Sequence, residues 1–283
     1  MERAQLKEWA KEALHRSYWK SVLVAFILAI TVGSGGSSGS SSSSGSSSDM
    51  NFGHMTEEDI TIFIVAMLIV FAVIGVICIF AMAIKAFVFN PLQVGCQSYF
   101  CKGLNDVNPQ LNELGRGFKP NYKNVALTMF LKDLYLWLWG LIGYVPTFVG
   151  AMGLVVWFMM SEDSNAVILF VIAFVILMIL TTLLCIPWII KTYQYMLIPY
   201  ILADNPDMPR KQVFALTKQM MNGNKMKAFV LNLSFIGWHM LSLLTCGILS
   251  IFYVEPYRAY TIAAFYKDIQ HRFSMTNGGN YIE

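Results

Sequence analysis

Long apolar runs constrain this chain more than any other feature. A helix that crosses the hydrocarbon core of a bilayer needs about 20 consecutive, mostly apolar residues. Residues 60–89 meet that length with Lys85 as their only charge. Residues 125–160 are longer than one crossing needs and carry Lys132 and Asp133 near their start. Residues 166–202 are similar, with Pro187 and Pro199 late in the run. Two shorter runs, 228–244 and 248–265, flank the turn-like Thr245-Cys246-Gly247. Residues 18–32 add the shortest run. The reading is an all-α polytopic membrane bundle of about six transmembrane helices. Composition agrees, since 13% of the residues are charged against about 25% in soluble domains.

Charge placement orients the bundle. Cytoplasmic loops collect Lys and Arg. Segments 1–17, 90–124, 203–227 and 266–283 all carry Lys or Arg, whereas loops 33–59 and 161–165 and the turn 245–247 hold none. Both termini are therefore expected in the cytoplasm. Parity supports the short first crossing: without it, the basic segment 90–124 would lie outside. A net charge of +3 gives no reason to expect nucleic acid as a partner. Five cysteines without a CxxC pair read as free thiols. No cleavable signal peptide is evident, so 18–32 reads as a retained helix.

Residues 33–48 form a Ser/Gly tract, read as an extracytoplasmic loop with an introduced linker as the alternative. Leu6, Trp9, Ala10, Ala13 and Leu14 recur at helical spacing opposite charged positions, which reads as an amphipathic helix in the cytoplasmic interface. Residues 210–221 read the same way, after a turn and helix N-cap at Asp204-Asn205-Pro206-Asp207. Both segments are expected to rest on the bilayer and its anionic headgroups. Candidate lipid contacts are Lys7, Lys11, Arg16, Lys20, Lys191, Lys225 and Lys227. Lys85, Lys132 and Lys191 sit near expected cytoplasmic ends, where they can snorkel.

A weak repeat is also visible. Tyr18-Trp19-Lys20-Ser21, Asn121-Tyr122-Lys123-Asn124 and Gly223-Asn224-Lys225-Met226 each open an apolar run. Pro91, Pro187 and Pro256 each precede Tyr- or Phe-rich sequence in the returning runs. Three repeated helical hairpins are one reading, and chance similarity is the other.

Intramembrane charges are functional hypotheses by default. Glu255 and Arg258 lie three apart in the last run and share a helix face. Asn232 and His239, seven apart, share a face of the run before it. The four form a candidate intramembrane polar cluster. It reads either as a substrate or proton site or as a neutralised structural pair at a proline. Lys132 and Asp133, being adjacent, are expected to find partners on other helices rather than each other. Gly150-Ala151-Met152-Gly153 reads as a helix-packing stripe. No metal-ligand spacing, nucleotide loop or nucleophile elbow is present in the sequence, so no cofactor and no catalytic residue is expected.

Leu231-Asn232-Leu233-Ser234-Phe235-Ile236-Gly237-Trp238, Leu244-Thr245-Cys246-Gly247-Ile248 and Glu255-Pro256-Tyr257 resemble a family of bacterial integral membrane proteins, domain of unknown function 975. Asn90-Pro91-Leu92-Gln93-Val94-Gly95 and Ile198-Pro199-Tyr200 extend the resemblance. It implies a multipass protein of the bacterial cytoplasmic membrane and no established activity. The family is also distantly similar to the membrane domain joined to some glycerophosphodiester phosphodiesterases; no hydrolase domain is recognised here. Two roles follow as expectations. One is non-enzymatic membrane organisation, lipid handling or envelope homeostasis. The other is small-solute or ion transport through the polar cluster, with an intramembrane enzyme as a third and lesser reading. A polar cavity around Glu255 favours transport, and a dry, packed pair favours the first role.

Overall fold

The computed structural model describes residues 3–32, 57–106, 109–118, 121–161 and 165–276. The Ser/Gly tract lies outside them. Helix α1 (Arg3–Arg16) and α2 (Tyr18–Val32) meet at a bend of 109°. Helix α3 (Glu57–Ile84) continues through a π-helical segment, Lys85–Phe89, into α4 (Asn90–Gly103). A 3-10 helix, Leu111–Phe118, follows. Then come α5 (Tyr122–Met160), α6 (Ala166–Tyr195), α7 (Ile198–Asp204), α8 (Arg210–Met220), α9 (Lys225–Leu233) and α10 (Ile236–Leu244). A second π-helical segment, Ser250–Val254, leads into α11 (Glu255–Thr276). No strand occurs among the described residues.

The most apolar helices do not form the core. Val73, Ile77 and Phe80 of α3, Phe148 and Val149 of α5, and Ile168 and Ile179 of α6 are all exposed. In water such a surface would be prohibitive, and in hydrocarbon it needs no cover. The buried side chains come instead from α1, α4, α7, α8 and α11, among them Leu14, Tyr99, Phe100, Ile201, Tyr260 and Tyr266. Helix α11 packs most extensively on α1, then on α2 and α4.

Four helical runs are long and apolar enough to cross a membrane: Ala72–Gly103, Tyr122–Phe158, Ala166–Asp204 and Lys225–Leu244. The bent pair α1–α2 makes a fifth candidate. The expected sixth, 248–265, is not among them. It falls in the second π-helical segment and α11, where Glu255, Pro256, Arg258 and the tyrosines Tyr253, Tyr257 and Tyr260 lower the hydropathy of the run. The helix also runs on to Thr276, through the first part of the expected tail.

The α5–α6 pair is an antiparallel hairpin closed by small residues. Thr147 and Thr181 hydroxyls meet at 2.8 Å. A methyl on Gly150 would lie 2.8 Å from Leu177 Cδ1, the end of a side chain that would have to turn aside. Gly153, from the same expected stripe, faces open space.

Prolines punctuate the returning helices. A prolyl nitrogen cannot donate to the carbonyl four residues earlier. For Pro91 that carbonyl is Phe87, and the Tyr122 hydroxyl donates to it at 2.5 Å. For Pro256 it is Phe252, and the Tyr18 hydroxyl donates at 3.0 Å. A tyrosine at the start of a neighbouring helix thus replaces each missing donor. The third break falls before Pro199, at the start of α7. Pro187 lies inside continuous α6, contrary to the expected assignment.

The interfacial helices are also revised. The apolar face of α1 (Leu6, Ala10, Ala13 and Leu14) is buried in the protein core rather than left for lipid. Trp9 Nε1 donates to the Leu104 carbonyl at 3.2 Å. Val213, Leu216 and Met220 bury the corresponding face of α8. The turn at 205–209 is present, but Pro209 occupies the N-cap of α8 with no side-chain cap. Asp204 instead ends α7 and accepts from Tyr266 Oη at 2.9 Å, Lys267 Nζ at 2.8 Å and Gln270 Nε2 at 3.2 Å, tying α7 to α11.

Candidate functional site

The polar residues of the last two runs converge. The Arg258 guanidinium lies 3.6 Å from the Glu255 carboxylate on the same face of α11. Its Nε donates to Asn232 Oδ1 at 3.3 Å. Asn232 ends one helix and His239 begins the next, because Ser234 and Phe235 form a turn between α9 and α10. The turn does not end the expected run 228–244, since Lys225–Leu244 still counts as one candidate crossing, and both residues reach the same place.

That place is a cavity of about 500 Å³ among α2, α4, α5, α6, α7, α9, α10 and α11. Asn232, His239, Glu255 and Arg258 all line it. Gln93 and Gln97 of α4 and Lys132 of α5 complete its polar wall. Leu28, Ala29 and Val32 of α2 and Ile262 of α11 give it an apolar side. The pair at Glu255 therefore borders a cavity and is not close-packed.

Lys132 is 9% exposed. Its Nζ lies 3.2 Å from Asp133 Oδ1. The expectation that these neighbours cannot meet is wrong, because the flexible lysine stem turns back along the helix. Asp133 is shared: Lys85 Nζ lies 3.7 Å away and Asn90 Nδ2 donates at 3.3 Å. Lys85 and Lys132 are thus ion-paired, and Lys191 Nζ lies 5.0 Å over the Trp139 ring. Gln97 is 5% exposed, and its Oε1 has no hydrogen-bond partner among the described residues.

Gln93, Gln97 and Lys132 were not singled out as site residues from sequence. One signal was available: Gln93 and Arg258 each follow a break proline by two positions. Helix periodicity then aims both at whatever the prolines surround.

A family model described as Protein of unknown function (DUF975) matches residues 1–273. The chain belongs to the DUF975 family. No curated protein and no solved structure matches it. In this DUF975 protein the expected lipid-contact residues do not form one patch. Lys11 and Arg16 are exposed on α1, and Arg16 lies 3.7 Å from Glu12. Lys7 Nζ sits 4.9 Å over the Phe235 ring, facing protein. Lys20 is half-buried in α2. Lys225 Nζ donates to Gln194 Oε1 at 3.3 Å, whereas Lys227 lines a separate groove with Arg3, Arg272 and an apolar floor. Among the described residues, no group of three or more His, Cys, Asp or Glu has metal-binding placement. Cys96, Cys101, Cys185 and Cys246 are free thiols.

Proposed function

We propose that this protein handles an amphiphile in the cytoplasmic membrane of a bacterium, binding its polar headgroup in the cavity lined by Glu255 and Arg258 without chemically transforming it. The observation that carries this reading is the cavity's mixed wall, with three charged side chains and three amides facing an apolar side from α2. Ligand sites pair an apolar lining with a few convergent polar groups.

The depth of the cavity favours a headgroup. Residues 134–160 of α5 are free of charge and about 40 Å long at 1.5 Å per residue. Residues 166–190 of α6 are free of charge and about 37 Å long. Each covers a hydrocarbon core of about 30 Å. Lys132 and residues 192–196, which contribute to the cavity wall, lie just beyond those stretches. On this reading the polar wall of the cavity begins at the boundary of the cytoplasmic leaflet, where headgroups are, and its apolar side runs from there along α2 into the hydrocarbon. Both termini are cytoplasmic, α2 is the first of six crossings, and α11 is a return covered by protein. The three proline breaks then belong to three related hairpins gathered around one cavity.

Transport of a small polar solute is the second reading, and the polar cavity around Glu255 is the feature expected to favour it; the apolar side of that cavity is what puts an amphiphile first. It is favoured by the π-helical interruptions next to Pro91 and Pro256, because broken helices frame the sites of many transporters.

The test compares a deletion strain complemented with the natural protein, with Arg258→Met, or with Glu255→Gln plus Arg258→Met. Removing one member of a buried pair costs about 3–5 kcal/mol. This pair is partly open to the cavity, so roughly 1–3 kcal/mol is expected for Arg258→Met. The double variant should recover most of that stability. Its lipid composition should still match the deletion strain. A stable double variant with normal lipids and normal solute uptake would leave the pair a structural device and overturn both readings.

A further inference from the structure

The charge inventory of the cavity narrows its ligand. Resting on the headgroup reading above, we propose that the cavity selects a phosphodiester carrying a single negative charge. Lys132 and Arg258 oppose one carboxylate, Glu255, among the lining residues. The adjoining ions keep the same balance, because Lys85 and Asp133 add one charge of each sign. Counting Lys, Arg, Asp and Glu, the set carries an excess of one positive charge.

Local geometry gives that excess to Lys132. Glu255 is matched by Arg258 at 3.6 Å. Asp133 is divided among Lys85, Lys132 and Asn90. A cation in a mostly buried wall with only a share of one carboxylate is best completed by an anion from outside the chain. A zwitterionic headgroup brings an ammonium that this wall would repel. A phosphomonoester brings up to two charges where one is matched. The phosphodiester monoanion fits both limits.

The amides supply the second half of the recognition. Gln93 and Gln97 stand on α4, one turn apart on one face, and both line the cavity. Gln97 Oε1 lacks a donor among the described residues although the side chain is buried. A buried amide left without a partner is costly. That oxygen is sealed from the cavity as the side chain stands, so a hydroxyl on the alcohol of the phosphodiester would meet Gln93 directly and Gln97 only after its amide turns, while the acyl chains leave along the apolar wall of Leu28, Ala29, Val32 and Ile262.

The full chain is reconstituted in nanodiscs of equal phosphatidylglycerol and phosphatidylcholine, and the lipid retained after transfer to detergent is measured by native mass spectrometry. Phosphatidylglycerol should be retained over phosphatidylcholine. Lys132→Met should reduce that preference about tenfold or more, the scale of one charge-assisted hydrogen bond. Asp133 keeps Lys85 and Asn90 in this variant, and Lys132→Arg should restore the preference. Thermal melting of both variants shows whether the fold is kept. If Lys132→Met does not fold, Gln93→Leu replaces it, and loss of preference is again expected.

Equal retention of the two lipids, with both lost on cavity substitution, would refute the charge selection and leave headgroup binding standing. Retention that ignores every cavity substitution would refute headgroup binding itself. Soluble glycerophosphoglycerol is added as a competitor in the last arm. If it displaces the lipid at equal concentration, the phosphodiester class holds and the lipid as its source is refuted.

Discussion

Gly95 and Gly117 show how closely single residues set this fold. A methyl on Gly95 would run into the Leu114 carbonyl, and one on Gly117 into the Pro91 carbonyl. The two glycines let α4 and the 3-10 helix touch backbone to backbone, and Glu113 locks that contact. Its carboxylate lies 2.7 Å from Lys102 Nζ, accepts from Ser98 Oγ at 3.1 Å, and lies 3.5 Å from Arg116 Nη1. Burial works to raise the carboxyl, but Lys102, Ser98 and Arg116 together outweigh it and hold it below the usual carboxylate range. Between the depressed value and the ordinary one of about 4.3, the unfolded chain binds more protons than the folded one. Stability therefore rises with pH through that window and is lost as acid carries the pH down through it. Glu113→Gln should destabilise the protein by roughly 1 kcal/mol at neutral pH, a modest figure because the site is only partly shielded from solvent. Thermal melting in nanodiscs should show the natural protein's advantage at pH 7 shrinking below about pH 4. A difference that stays constant from pH 7 to pH 3 would contradict the ion-pair origin.

At the scale of elements, prolines and tyrosines act together. The Tyr18 hydroxyl occupies the Phe252 carbonyl that Pro256 cannot serve, and Tyr122 does the same at Phe87 for Pro91. Tyr18→Phe should cost about 0.5–1.5 kcal/mol. In a Pro256→Ala background a backbone N–H returns near that carbonyl, so the same substitution should cost distinctly less. Equal costs in the two backgrounds, from a double-mutant cycle read by denaturation, would show that the tyrosine does not substitute for the missing donor. Sequence made many of these elements legible, because hydrophobic length is a strong signal: residues 18–32 coincide with α2 and 166 opens α6. It misassigned one break. Pro187 and Pro199 look alike in sequence, but whether proline interrupts a membrane helix depends on which neighbours satisfy the freed backbone groups. The polar cluster was legible because charges stand out in apolar runs. Gln93 and Gln97 carry no charge, and nothing local marked them as part of a wall. Lys132 was set aside by a rule about Cα directions that a long side chain evades.

For the whole molecule, the open question is which segments cross the bilayer. Four helical runs meet the length and polarity of a crossing and the bent α1–α2 pair adds a fifth, whereas six crossings satisfy the distribution of basic loops. The difference rests on α11, whose apolar side is turned to protein. A helix covered by α1, α2 and α4 does not need a lipid-facing surface to lie at membrane depth. The turn that precedes it supports a return from the far side. Cys246 (φ 50°) and Gly247 (φ 83°) reverse the chain directly after α10, and Leu243 and Leu244 beside them are exposed. Impermeant thiol labelling of intact cells decides the matter, with Cys246 and any other reactive native thiol replaced. Cysteine at Ser42 should react from outside, and cysteine at Asn112 should react only after the cells are opened. Cysteine at Thr276, the last residue of α11, should behave like Asn112, because an even number of crossings returns the chain to its starting side. Labelling of Thr276 from outside with Asn112 protected would make the total odd and α11 no crossing. External labelling of Asn112 with Ser42 protected would reverse the orientation and move Lys132 and its cavity to the outer leaflet.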